Sequence, residues 1–157
     1  MIRVGQGVDA HAFDANRRLV LGGVEIPDSP GLGGHSDADV VSHAVADALL
    51  GSAGLGDLGS RFPATDRWKD ASSLDILREV ARLLADDGWS VVNLDATVIA
   101  ERPRLAPYLQ QMAASMAEAL SIETSVVSVK ATSTDGLGFT GRGEGIAALA
   151  IALIDRS

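Results

Sequence analysis

Two periods run along the chain. Alternation with a period of two marks Ile2 to Phe13, where Val4, Val8 and Ala10 share one side and Asp9 and His11 the other. It returns in Trp89 to Ala100, where Val92, Leu94, Ala96 and Val98 alternate with Asn93, Asp95 and Thr97. Both stretches are predicted strands. A helical period instead organises Val40, Val41, Ala44, Val45, Ala48 and Leu49, then Leu74, Leu77, Ala81 and Leu84, then Leu109, Met112, Ala113, Met116, Ala117 and Leu120. Leu19 to Pro27 reads as a hairpin turned at Gly22-Gly23, and Ser125 to Ala131 as a further strand. Ile146 to Ile154 is apolar without alternation. Its alanines allow a helix, but its length and position favour a strand covered on both faces, one of them by another subunit.

The helix ends carry their own signals. Ser36 is the expected N-cap of the first helix, with Asp39 three residues later to favour its positive end. Ser72 with Asp75 caps the second, which stops at Asp86-Asp87-Gly88 and reads as scaffold only; Pro107 suits the first turn of the third. Between them, Gly51 to Gly59 is expected to be a permissive loop containing Asp57. Residues 61–70 form a surface loop with two exposed aromatics, Phe62 and Trp68, and are a candidate lid.

Composition narrows the picture. A length of 157 residues suits one domain spanning 1–157, and an aromatic share of only 4% means a core of Ala, Val, Leu and Ile whose elements approach closely. The chain has no cysteine, which removes disulfides and thiolate metal sites and leaves histidine and carboxylate as ligands. Its net charge of -8 argues against a broad nucleic-acid or anionic-membrane surface, so an anionic substrate must be drawn by local cations. No apolar stretch follows Met1, and the Ile146 to Ile154 run falls far short of the ~20 residues of a membrane helix; a soluble cytoplasmic protein is expected.

Chemistry concentrates in a few places. The three histidines, His11, His35 and His43, all fall in the first third. Asp9-x-His11 on one strand face is a two-point chelate. His43 would complete the three-ligand set of a catalytic zinc, whose fourth position stays free for water or substrate. His43 also belongs to a ridge with Asp39 and Asp47 at i, i+4, i+8, which reads either as a solvated helix face or as a reactive one. Lys130-Ala131-Thr132-Ser133-Thr134-Asp135 offers cation, hydroxyls and carboxylate for phosphate and a hard metal ion, though a Ser/Thr row before Asp-Gly is also ordinary turn chemistry. Asp57 suits either the hydroxyls of a polyol or its own backbone, and Arg142 and Glu144 are expected to pair in a glycine-rich stretch that is not a Walker loop.

Through Gly7-Val8-Asp9-Ala10-His11, His35-Ser36-Asp37-Ala38-Asp39, His43, Leu55-Gly56-Asp57, Lys130-Ala131-Thr132 and Gly138 to Gly145, the chain resembles the 2-C-methyl-D-erythritol 2,4-cyclodiphosphate synthase family over essentially its whole length. The resemblance implies an α+β fold with a mixed β-sheet packed against helices on one side, three such subunits facing a threefold axis with active sites at their interfaces. It implies a metal-dependent lyase of the non-mevalonate isoprenoid pathway that cyclises 4-diphosphocytidyl-2-C-methyl-D-erythritol 2-phosphate and releases CMP. The positions matching Asp9, His11 and His43 would hold Zn2+ or another divalent transition metal, and Asp135 would meet Mg2+ or Mn2+ on the substrate diphosphate. His35 and Ser133 match catalytic positions that stabilise the transition state.

The substrate would also meet Asp9, Ala10, His11, Ser36, Asp57, Leu58 and Gly59, then Phe62, Pro63, Ala64, Thr65 and Asp66 in the lid. Its cytidine end would fall to Ala100, Glu101, Arg102, Pro103, Arg104, Leu105 and Ala106 together with Lys130, Ala131 and Thr132 from the neighbouring subunit, with Thr134, Phe139 and Arg142 completing the set. An isoprenoid diphosphate on the threefold axis near Arg142 and Glu144 is left open. Four positions depart from the family pattern: Asp135 stands where glutamate is common, Ser133 for threonine, Ala64 for aspartate and Arg104 for lysine. Two other readings stay in play, a zinc-dependent phosphohydrolase and a non-catalytic trimeric binder whose metal would need four protein ligands.

Overall fold

A computed structural model describes residues 1–157. In chain order the elements are β1 (Ile2–Asp14), the hairpin β2 (Leu19–Leu21) and β3 (Val24–Ile26), the short β4 (Gly31–Leu32), α1 (Val40–Ala53), α2 (Leu58–Arg61), α3 (Ser73–Asp86), β5 (Ser90–Ile99), α4 (Leu109–Leu120), β6 (Val127–Thr132), α5 (Gly138–Gly141) and β7 (Gly145–Asp155). Five strands make one mixed sheet in the order β4-β1-β7-β5-β6, antiparallel except for β5 and β6. That parallel pair needs a crossover, and α4 provides it. The last apolar stretch is thus a strand, as its length favoured, and it lies at the centre of the sheet.

The first helix rests directly on the sheet because β1 and β7 offer almost no side chain beneath it. On the helix side of β1 stand Gly5, Gly7, Asp9 and His11. A Cβ at Gly5 would overlap the Ala48 carbonyl oxygen and one at Gly7 that of Ala44. Facing them on β7 are Ala148, Ala150 and Ala152, all buried. Backbone-on-backbone contact of this kind explains why α1 is buried on nearly every side instead of along one stripe. The opposite sheet face carries Ile2, Val4, Val8 and Ile151, which are 52–69% exposed.

Several boundaries differ from the sequence reading. Ser36 does not cap α1: Ala38 has a left-handed φ of 57°, so the chain is not yet helical there, and Asp39 is the N-cap. Its buried carboxylate accepts from the backbone N–H of Val41 and Ser42, and from Gly22 at 2.8 Å and Gly23 at 2.7 Å in the β2–β3 turn. Gly51 lies inside α1, which ends only at the left-handed Gly54, and the short helices α2 and α5 fall in stretches expected to be loops. A short helical turn at Ala106–Tyr108 carries Pro107 ahead of α4, and another at Thr124–Val126 delays β6.

Two stripes also rotate. In α3 the buried residues are Ser73, Ile76, Leu77, Val80 and Leu84, so Leu74 and Ala81 move to the flank. On β5 a register shift between Val91 and Asn93 leaves Val92 unpaired and 41% exposed, while Leu94, Ala96 and Val98 point inward as expected. Phe62, expected at the surface, is 8% exposed and packs edge-on against Trp68 at 4.8 Å.

Candidate metal centre

Asp9 and His11 leave β1 on the same side because they are two apart, and α1 brings His43 over them beside the Ala44 contact with Gly7. Asp9 Oδ2 lies 3.0 Å from His11 Nε2 and 3.2 Å from His43 Nδ1. One ligand atom from each residue falls within 4.8 Å of the others, and no fourth imidazole or carboxylate joins the group. Burial is uneven: the side chains of Asp9 and His11 are about a quarter exposed, whereas His43 is 7% exposed, so the cluster has one open side.

Electrostatics match a cation-binding role. Burial pushes the Asp9 carboxyl upward, but the hydrogen bonds and charges of His11 and His43 outweigh it and hold the group at about 2. The hydrogen bond to Asp9 in turn raises His11 above its ordinary value, against the effect of burial. Two imidazole nitrogens and one carboxylate oxygen gathered this closely form the donor set of an open zinc-type site, and the fit is good on chemistry and on spacing.

The cluster opens into a cavity of about 270 Å³ that His35, Ser36, Leu58, Gly59, Phe62, Ala64, Trp68 and Ile76 also line. Arg17 shapes its rim by donating to the carbonyl oxygens of Gly34 and Ser36 on either side of His35. The three-residue ridge on α1 resolves into separate roles. Asp39 is the cap already described, its pKa raised first by burial and then by the neighbouring Asp37 charge. Asp47 accepts from the Leu58 N–H at 2.7 Å and so ties α2 to α1, and only His43 faces the cluster. The ridge is thus neither a solvated face nor a reactive row. Asp57 caps α2 by accepting from the Ser60 N–H at 2.7 Å, the backbone role that turn aspartates favour. Ala10 turns its side chain to the other sheet face while its N–H holds Asp9 Oδ1 at 3.0 Å. Thr65 and Asp66 remain exposed in the 61–70 segment.

The remaining candidate residues gather elsewhere. Ala100, Glu101, Pro103, Arg104, Leu105, Ala131, Thr132 and Ser133 line a second cavity of about 280 Å³. Strand β6 lies three steps across the sheet from β1, roughly 14 Å at the usual strand spacing. Lys130 pairs with Asp95 on the outer face, and Ser133 donates to Asp135 at 3.2 Å. Glu101 Oε1 accepts from the N–H groups of Thr134 at 3.0 Å and Gly136 at 3.2 Å, which holds Asp135 in a left-handed conformation with φ 52°. Arg102, Ala106 and Phe139 are accounted for differently: Arg102 borders another cavity with Phe13 and Gly143, Ala106 opens the short helical turn, and Phe139 is 43% exposed. Arg142 and Glu144 pair at 2.9 Å, as expected.

Sequence reasoning passed over Asp37 and Ser73. His43 Nε2 lies 3.0 Å from Ser73 Oγ and 3.1 Å from Ser36 Oγ, and Ser73 also donates its hydroxyl to Asp37. The helix read as scaffold therefore supplies a hydroxyl to a cluster residue. Only the placement of Asp37 between His35 and Asp39 hinted at it.

The fold defines an α+β protein in which a strand and a helix bring three candidate metal donors to the mouth of a cavity. The YgbB family model matches residues 2–155, and the chain belongs to the YgbB family. The 2-C-methyl-D-erythritol 2,4-cyclodiphosphate synthase of Syntrophomonas wolfei is 56% identical over 157 residues, covering 99% of this chain and all of that one. That of Rubrobacter xylanophilus is 57% identical, covering 99% of this chain and 96% of its own. Among solved structures, the bifunctional IspDF of Campylobacter jejuni superposes with a TM-score of 0.95 at 40% identity; it covers all of this chain, which spans 43% of that longer protein. A CDP complex of Plasmodium falciparum IspF gives 0.86 at 31% identity, covering 99% of this chain and 97% of that one.

Proposed function

We propose that the chain is a cyclodiphosphate synthase, converting 4-diphosphocytidyl-2-C-methyl-D-erythritol 2-phosphate into 2-C-methyl-D-erythritol 2,4-cyclodiphosphate and CMP in the non-mevalonate isoprenoid pathway. The observation that carries the reading is the convergence of Asp9, His11 and His43 at the mouth of a cavity lined by His35, in a chain matched over its whole length by enzymes of that name. An oxygen of the substrate's own 2-phosphate attacks the β-phosphorus; the bond from that phosphorus to the CMP oxygen breaks, and CMP leaves with the electron pair. No serine or cysteine nucleophile is needed, which agrees with a chain without cysteine.

Within this reading Asp9, His11 and His43 hold Zn2+ or a similar divalent transition metal, which when bound supplies Lewis acidity toward the β-phosphate. Asp135 meets the Mg2+ or Mn2+ that arrives on the substrate diphosphate. Asp57 and the start of α2 position the methylerythritol hydroxyls, and His35 with Ser133 stabilises developing charge on the phosphoryl oxygens. Residues 62–70 close over the cavity and exclude water, which keeps cyclisation ahead of hydrolysis.

The second cavity, lined by the 100–106 segment and the end of β6, receives the cytidine moiety. Its distance from the metal cluster of the same chain supports a homotrimer in which each active site joins the metal half of one subunit to the cytidine half of the next. The exposed Val4, Val8 and Ile151 on the outer sheet face support the same assembly, as the face turned toward the threefold axis. No helix is long and apolar enough to cross a membrane, and the reading places the single domain in the cytoplasm as a phosphorus–oxygen lyase.

The test is to supply the cytidylyl substrate to the purified chain with Zn2+ and Mg2+ and resolve the products. CMP and cyclic diphosphate forming in equal amounts is the expected result. Linear phosphate products in place of the ring would make it a phosphohydrolase, and no turnover with metal bound would leave it a binder.

A further inference from the structure

His43 stands at the end of a chain of hydrogen bonds that begins on the loop before α1 and passes through the first residue of α3. Ser73 is fully buried, and its Oγ lies 3.0 Å from His43 Nε2 while donating to the Asp37 carboxylate. The same carboxylate accepts from the Ser73 N–H at 2.8 Å and from the Asp39 N–H at 3.2 Å, so Asp37 is held on both sides as an acceptor. A serine hydroxyl has one proton to give. With that proton committed to Asp37, Ser73 can offer His43 only a lone pair, and the hydrogen of the neutral imidazole must sit on Nε2. Nδ1 is then bare.

That nitrogen is the one 3.2 Å from Asp9 Oδ2, so either a proton shared with Asp9 in the metal-free fold or a cation in its place bridges the two. Ser36 Oγ, 3.1 Å from the same Nε2, can accept from it but carries no comparable anchor to set the direction of its own proton. The geometry points to a relay from His43 Nε2–H to Ser73 Oγ–H to Asp37 that presents Nδ1 of His43 to the metal, making Ser73 and Asp37 positioning residues for the centre. The relay rests on the metal-centre reading above, and it deepens it by naming what selects the ligating nitrogen. Outer hydrogen bonds of this kind fix the tautomer and ring angle of a ligating histidine, and their loss typically weakens metal binding by about 10–100-fold.

The decisive experiment uses the full chain and needs no turnover. Co2+ alone is titrated into the metal-free protein and followed by its visible absorption. Ser73→Ala and Asp37→Asn are each expected to weaken Co2+ binding by about tenfold or more, while Ser73→Thr, which keeps the hydroxyl, restores most of the affinity. In the Zn2+-loaded unmutated chain, 15N NMR of His43 is expected to show the proton on Nε2 and the metal-shifted nitrogen at Nδ1. Should Ser73→Ala fail to fold, Asp37→Asn and the NMR assignment decide the matter. Unchanged affinity in both variants, or a proton found on Nδ1, overturns the relay while His43→Ala still abolishes binding. Unchanged binding in His43→Ala would instead overturn the metal-centre reading itself.

Discussion

The Asp9, His11 and His43 cluster sits where backbone packs against backbone, whereas Lys130 to Asp135 run along the end of the edge strand β6 and into the loop beyond it. Around the cluster each position is held more than once: His43 by the seat of α1 on Gly5 and Gly7 and by two hydroxyls, Asp9 by two imidazoles and the Ala10 N–H. No buried side-chain nitrogen or oxygen in the chain lacks a hydrogen-bond partner. At the other end Lys130 is 54% exposed, and the loop bearing Asp135 is held by Glu101 and by short-range bonds of Ser133 and Thr134. The difference teaches that the metal cluster is finished by folding alone, whereas the 130–135 segment is open surface that, in the proposed function, a neighbouring subunit would complete.

The sharpest way to break the contrast is Gly7→Val. Any side chain there meets the Ala44 carbonyl, so α1 must lift, and a loss on the order of 3 kcal/mol or more is expected in urea unfolding together with loss of metal binding. A variant as stable as the parent would show that close packing does not place His43. His43→Ala comes next: bound metal vanishes in elemental analysis and CMP release falls by on the order of a thousandfold or more, while sedimentation shows the assembly intact. Asp135→Asn separates the halves, with metal content unchanged and kcat lower by on the order of a hundredfold. A parallel fall in bound zinc would mean that the two halves are not independent.

The smallest effect is one of pH. His11 titrates above its ordinary 6.5 in the metal-free fold, so its contribution to stability is full below 6.5 and fades as pH rises through the folded-state value. Metal affinity moves the other way, tightening by about tenfold per pH unit while His11 gives up its proton. Asp9, held at about 2 against 3.8, adds stability that is complete above 3.8 and disappears as pH falls toward 2. Thermal unfolding with and without Zn2+ across pH 5–9 would show the two curves diverging; parallel curves would detach His11 from the metal.

How much of this was legible from residues alone varies with range. The period of two in β1 put Asp9 and His11 on one side and the helical period put His43 on α1, but that the two segments meet in a candidate metal cluster follows from the fold and not from local pattern. The direction in which the apolar residues of β1 point was not legible either: Val4 and Val8 face out because Gly5 and Gly7 are what the helix needs beneath it, and only the packing partner reveals that. Ser36 looked like a cap because the left-handed turn at Ala38 has no sequence mark. The role of Ser73 stayed hidden because it depends on contacts 30 and 36 residues distant in the chain.

Asp39 grips the turn between β2 and β3 and the first turn of the helix that bears His43, with Ser42 Oγ as a further donor at 2.8 Å. The hairpin, whose Leu19, Leu21, Val24 and Ile26 are buried, is therefore clamped to the N-terminal end of α1, and a substitution at Gly22 or Gly23 would be felt first at the turn of helix that carries His43.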